Sequence, residues 1–314
     1  MPPTLTYRVV AAATYFLLTT AGFVPYIVVL ATLAKYSQEF HRKHSFYALV
    51  WLLALADNCN FFAQYLVSIP VSLLGSSAVG RGWETVFANL DTVAWLLIIF
   101  VGHLMALNRL TCFVAPRVYR ALFADRKVYF WFVPVWAYVI WRLWLTISFR
   151  PKRFSPRAFH FYYDNNATEY PGFYATLLEA DFAFSSAFLY IPVVNFVIYL
   201  VVYSYIKLSI RLHVTSNLEK TLLLQSVIVC LLTLAEILAF RSANYLTTFS
   251  CSYFSTSSLN PYIFYCFNSS IREHVRLLLG LQPLQELAAQ RRLLSPGSAE
   301  NGVDDKRKEY ETGV

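Results

Sequence analysis

The sequence predicts an all-α membrane protein: a seven-transmembrane helix bundle followed by a short amphipathic surface helix. Three observations carry that expectation. The 314 residues are 57% hydrophobic, 18% aromatic and only 14% charged, outside the range of a soluble domain. Seven apolar stretches each reach the roughly twenty residues that a spanning helix needs. Lysines and arginines are denser in one alternate set of the intervening loops than in the other.

In chain order the expected spans are Val9–Leu33, Phe46–Leu74, Val86–Leu107, Val128–Ile147, Phe182–Ile206, Leu222–Phe240 and Tyr245–Phe267. The second carries Asp57, Asn58 and Asn60 inside an apolar run. The third leads into Arg109, a fixed charge with apolar neighbours on both sides, a placement expensive enough to ask for a function. Beyond the seventh, Ser270–Leu281 sets Ile271, Val275, Leu278 and Leu279 at helical spacing against Arg272, Glu273 and Arg276, the pattern of a helix lying along a headgroup surface. From Pro283 the chain turns rich in Gln, Ser, Gly and charge, and disorder is expected. The predicted organisation is a short outer N-terminus (1–8), a seven-span domain (9–267), a surface helix (268–281) and a cytoplasmic tail (282–314).

One set of loops holds Lys35, Arg42, Lys43, Arg117, Arg120, Arg126, Lys127, Lys207, Arg211, Lys220, Arg272 and Arg276. The other holds Arg8, Arg81, Arg150, Lys152, Arg153, Arg157 and Arg241. The richer set is expected in the cytoplasm, with the N-terminus outside, in the plasma membrane. An N-glycosylation sequon, Asn166-Ala167-Thr168, falls in the outer loop between the fourth and fifth spans, whereas Asn268-Ser269-Ser270 falls inside and is expected to stay bare. The first span is longer than the apolar region of a signal peptide and is expected to remain. The net charge of +8 faces lipid headgroups, and no basic face is left for nucleic acid. The five cysteines lie in or beside apolar runs without CxxC spacing and read as small core residues.

Three motifs give the bundle a resemblance. Leu53-Ala54-Leu55-Ala56-Asp57 in the second span, Asn108-Arg109-Leu110 with Pro116 after it at the end of the third, and Leu259-Asn260-Pro261-Tyr262-Ile263-Phe264 in the seventh, followed by Asn268 and Arg272, resemble the motifs of rhodopsin-like G-protein-coupled receptors. The departures narrow the likeness. No cysteine opens the third span or lies in Arg150–Phe173, the sixth span has no proline, the first has no asparagine, Asn108 stands for an acid, and Phe264 stands for a tyrosine. With the Asn-Arg-Leu-Thr phrase and an aromatic-rich fourth span, the chain looks most like the nematode serpentine chemoreceptors of the superfamily containing classes gamma, x and v.

That resemblance implies a heterotrimeric G protein as partner, a small-molecule or pheromone ligand in the outer half of the bundle, and a setting such as a sensory-neuron cilium. Arg109 would meet the G protein, held at rest by an acid; with Asn108 neutral, Glu219 before the sixth span is the candidate, unless Arg109 simply snorkels to headgroups. Asn260 and Pro261 would belong to the switch. Asp57 would hold a sodium ion or a proton with Ser257 and Asn260, or else be a neutral core acid; no other cofactor is expected. Asp91, about 27 Å up the third helix from Arg109 at 1.5 Å per residue, would either hold a cationic ligand beside Trp95 or pair with Arg81 or Arg241.

Other polar residues leave two readings each. Glu236 of the sixth span would point at a cavity or at Arg142, which more simply snorkels outward. The basic, aromatic loop Arg150–Phe173 either covers the pocket or, as the simpler reading has it, is solvated. Pro192 and Pro261 are expected to kink their helices. Thr312-Gly313-Val314 fits a PDZ ligand. The runner-up function is a multi-pass transporter, which would predict repeated halves with spans broken at matching places, and neither is found. An enzyme is not expected, because HExxH, GxSxG and paired catalytic carboxylates are all missing.

Overall fold

The computed structural model describes residues 3–37, 45–77, 80–157, 159–164, 176, 180–181, 186–209, 223–235 and 253–281. The helices are α1 (Leu5–Lys35), α2 (Phe46–Leu74), α3 (Arg81–Val114), a short α4 (Pro116–Leu122), α5 (Phe132–Phe149), α6 (Ile191–Ser209), α7 (Leu223–Ala235), α8 (Tyr253–Phe267) and α9 (Ser269–Leu278). A two-stranded antiparallel hairpin, β1 (Lys152–Ser155) and β2 (His160–Tyr163), follows α5. Five of these helices, α5 and α6 with their leading turns included, are long and apolar enough to cross a membrane. The apolar α7 and then α8 follow at the places of the sixth and seventh expected spans. The protein is a helical membrane bundle.

Burial sorts the spans. About three-quarters of the apolar window of α2 (78%) and two-thirds of that of α3 (67%) are covered by protein, against 22–33% for α1, α5 and α6. The pair α2 and α3 is therefore the inner core, and the other three turn most of their surface to lipid. In lipid, burying apolar surface does not itself drive helices together, so close packing and internal polar contacts must do it. Gly22 shows the first device: a Cβ there would lie 2.7 Å from both the Phe61 ring and the Ser258 backbone. Only a glycine lets α1 approach α2 and α8 this closely.

Several boundaries moved from the sequence expectation. Helix α3 extends well past both ends of the expected third span, starting at Arg81 and ending at Val114, so Arg109 stands inside a helix. Pro192 does not kink a helix midway. It sits in the first turn of α6, after a break at Leu189–Tyr190, where its missing N–H has no partner to lose. Pro261 does lie inside α8. Helix α2 contains a π-turn at Gln64–Ser68, just before Pro70, which no sequence signal had marked.

At the end of α8, Asn268 caps α9. Its Oδ1 accepts from Ile271 N at 3.1 Å, and Arg272 donates to Cys266 O at 2.8 Å. Ile271, His274 and Val275 of α9 face the core. Asn268 is itself fully buried.

Candidate functional site

Three polar clusters lie along the bundle axis, one at the hairpin end, one in the middle and one at the Arg109 end. Each gathers groups that membrane-spanning helices bury only with partners.

At the hairpin end, strand alternation decides which residues point in. Lys152 and Phe154 are buried while Arg153 and Ser155, which alternate with them, are half-buried. Phe154 packs with Tyr15, Val67 and Val71 of α1 and α2, and its N–H donates to Glu84 Oε1 at 3.2 Å. Lys152 forms an ion pair with Asp91 of α3 and donates to Thr92 Oγ1 at 3.2 Å. The rings of Phe161 and Tyr163 lie 5.1 and 5.6 Å from its ammonium. Burial works against the charge on Lys152, but Asp91 and then Tyr163 outweigh it and raise its pKa above the usual lysine value. Tyr163 is shifted the other way: burial opposes ionisation, yet the Lys152 charge, Thr92 and Arg142 together pull its pKa below the usual tyrosine value.

These contacts revise two expectations. The described part of the loop after α5, 150–157 and 159–164, is not simply solvated, because Lys152 and Phe154 of its hairpin are buried in the bundle. The partner of Asp91 is Lys152, not Arg81; Arg241 lies outside the described residues. Arg142 pairs with Asp181. The turn between the strands is held as well: Phe159 has φ 52°, which costs a side-chain-bearing residue about 1–2 kcal/mol, and its carbonyl accepts from Tyr15 Oη at 2.5 Å.

In the middle, Asp57 is fully buried and receives three donors. Ser257 Oγ reaches Oδ1 at 2.7 Å, Asn260 Nδ2 reaches Oδ2 at 2.8 Å, and Tyr26 Oη of α1 donates to Oδ2. Asn60 Nδ2 then donates to Ser257 Oγ at 3.2 Å and Gln64 Nε2 to Asn60 Oδ1 at 3.1 Å. Tyr26 was not singled out from sequence. The signal for it was available, since a tyrosine deep in an apolar span has a hydroxyl that must find a partner. For a monovalent cation this donor set fits: two carboxylate oxygens, two hydroxyls and Asn260 Oδ1, a buried oxygen that no described group engages.

At the other end, the guanidinium of Arg109 stacks on the Phe46 ring at 3.9 Å. Asn108, in the place of an acid, donates to Ser45 Oγ at 3.3 Å, and that hydroxyl is shared with Tyr119 Oη at 3.1 Å. Glu219, Glu236, Asn166 and the C-terminal tail lie outside the described residues. Trp95, one turn along α3 from Asp91, is partly buried against the core. Between α3, α6 and α7 a cavity lined by Met105, Asn195, Tyr199, Ser226 and Thr233 gives about 20 Å³ to the centre of a water molecule, room for a single water. Beside it His103 Nδ1 and Asn195 Oδ1 join α3 to α6 at 2.8 Å.

The profile of the family described as serpentine type 7TM GPCR chemoreceptor Srt matches residues 6–287. The chain belongs to that family. This receptor is therefore a multi-pass membrane protein of the nematode serpentine chemoreceptor group, and the family is not one of enzymes. The resemblance to the nematode serpentine chemoreceptors is borne out, and the class matched is Srt. No curated protein matches the receptor.

Proposed function

We propose that the receptor binds a small ligand at the hairpin end and activates a heterotrimeric G protein at the Arg109 end. The N-terminus would be outside and the C-terminus in the cytoplasm, in the plasma membrane, with a sensory cilium as the natural setting. The observation that carries the reading is the division of the buried charge. Lys152 and Asp91 close one end of the central helix α3, and Arg109 stands over Phe46 near the other. A ligand that disturbs the first pair acts on the same rigid helix that carries the arginine.

The ligand site lies around Asp91 and Trp95. Because Lys152 already neutralises Asp91, a ligand ammonium would have to displace it, so a free amine is the less favoured ligand. Asp57, with Ser257, Asn260 and Tyr26, holds a sodium ion or a proton. Asn260 and Pro261 give α8 its freedom to shift, and a Glu219 contact holds Arg109 at rest. Agonists would act by binding the open arrangement more tightly than the closed one. Asn166 would carry a glycan, the tail would offer its last residues to a PDZ domain, and α9 would rest on lipid headgroups. A ligand screen with a G-protein readout tests the proposal: an agonist must give a signal that Arg109→Ala abolishes at equal surface expression.

A further inference from the structure

Gly22 and Gly102 stand in contrast. A Cβ on Gly22 would run into Phe61 and Ser258, so packing requires that glycine, whereas a Cβ on Gly102, inside α3, would meet only Asn195 Nδ2, at an ordinary contact distance of 3.8 Å. Glycine inside a helix is less favourable than alanine, because it loses more backbone freedom on folding. Close approach therefore does not account for Gly102. What it leaves is space, as part of the wall of the cavity between α3, α6 and α7.

The walls of that cavity are chemically unlike. Ile98, Ile99 and Met105 of α3 are apolar. Asn195 and Tyr199 of α6 and Ser226 and Thr233 of α7 are polar, and no charged side chain is among the described residues that line it. In the Asn195 amide, Oδ1 is joined to His103 Nδ1, while Nδ2, on the Gly102 side, engages no described group. Thr233 Oγ1 gives its hydrogen to Val229 O at 3.0 Å, which leaves the oxygen able to accept. The Tyr199 hydroxyl is hydrogen-bonded to the Ser226 side chain, and that pair still offers lone pairs.

A cavity walled by apolar groups alone stays dry, but one roomy enough for a water and furnished with about two to four polar partners holds it. We infer that this cavity binds one ordered water, which accepts from Asn195 Nδ2 and donates to Thr233 Oγ1 and to the Tyr199–Ser226 pair. The water ties α6 to α7 across the gap that Gly102 leaves, in the interior of the membrane, where an unmet amide N–H is costly. Such a bridge is nearly as favourable enthalpically as a direct hydrogen bond. It also accounts for the glycine: a methyl group at 102 would take the place of the water without being able to make its hydrogen bonds.

Radiolytic footprinting of detergent-solubilised receptor tests the site. Hydroxyl radicals formed in a brief X-ray pulse oxidise side chains that lie beside water, and Met105 and Cys230 line the cavity while being buried from bulk solvent. Both are expected to be oxidised in the parent chain and severalfold more slowly in Gly102→Ala. The Tm is an independent reading. In a dry cavity the added methyl group fills a void and favours the helix, so Tm rises; eviction of a bound water leaves polar groups unmet, so Tm falls. A lower Tm is expected for Gly102→Ala. Met105 and Cys230 left unoxidised in the parent would show a dry cavity and overturn the water, whatever the Tm of the variant. Equal oxidation in the parent and in Gly102→Ala would mean that radicals reach the sulfurs from bulk solvent, and would overturn it as well. Protection in Gly102→Ala together with a raised Tm would show a water that fills space without joining α6 to α7, which overturns the bridge.

Discussion

Lys152 of strand β1 and Asp91 of α3 form a buried ion pair across 61 residues of chain. It fastens the hairpin to the helix on which Arg109 stands, and the first prediction concerns its strength. Removing one partner of a buried pair strands the other charge, at a cost of about 3–5 kcal/mol, whereas replacing both by apolar residues of similar size is often nearly neutral. Lys152→Met alone is expected to lower the Tm of purified receptor, and Lys152→Met with Asp91→Leu to recover most of the loss. If the two substitutions simply add, the pair is not coupled and the hairpin is held by packing alone.

The pair also fixes a pH response. The pKa of Lys152 is raised in the folded receptor, so its contribution is complete below the unfolded lysine value of about 10.4 and is lost only as pH rises through the folded one. Tyr163, whose pKa is lowered, contributes only at alkaline pH, and that contribution is lost as pH falls through its folded value. The Lys152 contribution to the Tm of the receptor should therefore stay whole as pH rises to about 10 and fade only above it, which a Tm series carried into the alkaline range reads. A fade that begins near neutral pH would mean that another titrating group governs the hairpin.

Tyr26 supplies a donor from the first span, where no asparagine is found. Tyr26→Phe keeps the ring against Phe61 and Phe264 and removes only the hydroxyl. Leaving a buried acceptor short of a donor costs about 1–3 kcal/mol. A lower Tm is expected for Tyr26→Phe, and in an Asp57→Asn background the loss should shrink. An equal loss in both backgrounds would assign Tyr26 to packing.

How far such contacts were legible depended on whether a local signal announced them. Asp57 stood out as an acid inside an apolar run, the resemblance named Ser257 and Asn260 as its partners, and the three do meet. The spans themselves were visible because lipid demands long apolar stretches. Lys152 gave no such signal: it is one of four basic residues in a loop rich in aromatics, and only the two-residue period of a hairpin, seated against Tyr15 and Val67, turns it inward. The π-turn was hidden too, since Pro70 could equally have opened a new turn. Tyr26 was passed over because a tyrosine in an apolar run packs well enough to need no further account.

The resting lock is tested at Glu219. Glu219→Gln removes the charge that is proposed to hold Arg109 and should raise ligand-free signalling in cells at matched surface expression. Unchanged basal signalling would leave Arg109 held by its stacking on Phe46 and remove Glu219 from the mechanism.

The central claim is that binding at the hairpin end drives nucleotide exchange through the Arg109 end. The most direct measurement is guanine-nucleotide exchange on a heterotrimeric G protein by purified receptor, with and without an agonist found by screening, beside Arg109→Ala. The account predicts agonist-dependent exchange by the receptor and none by Arg109→Ala, which should still bind the agonist. Agonist binding without exchange in either protein, or equal exchange in both, would contradict it.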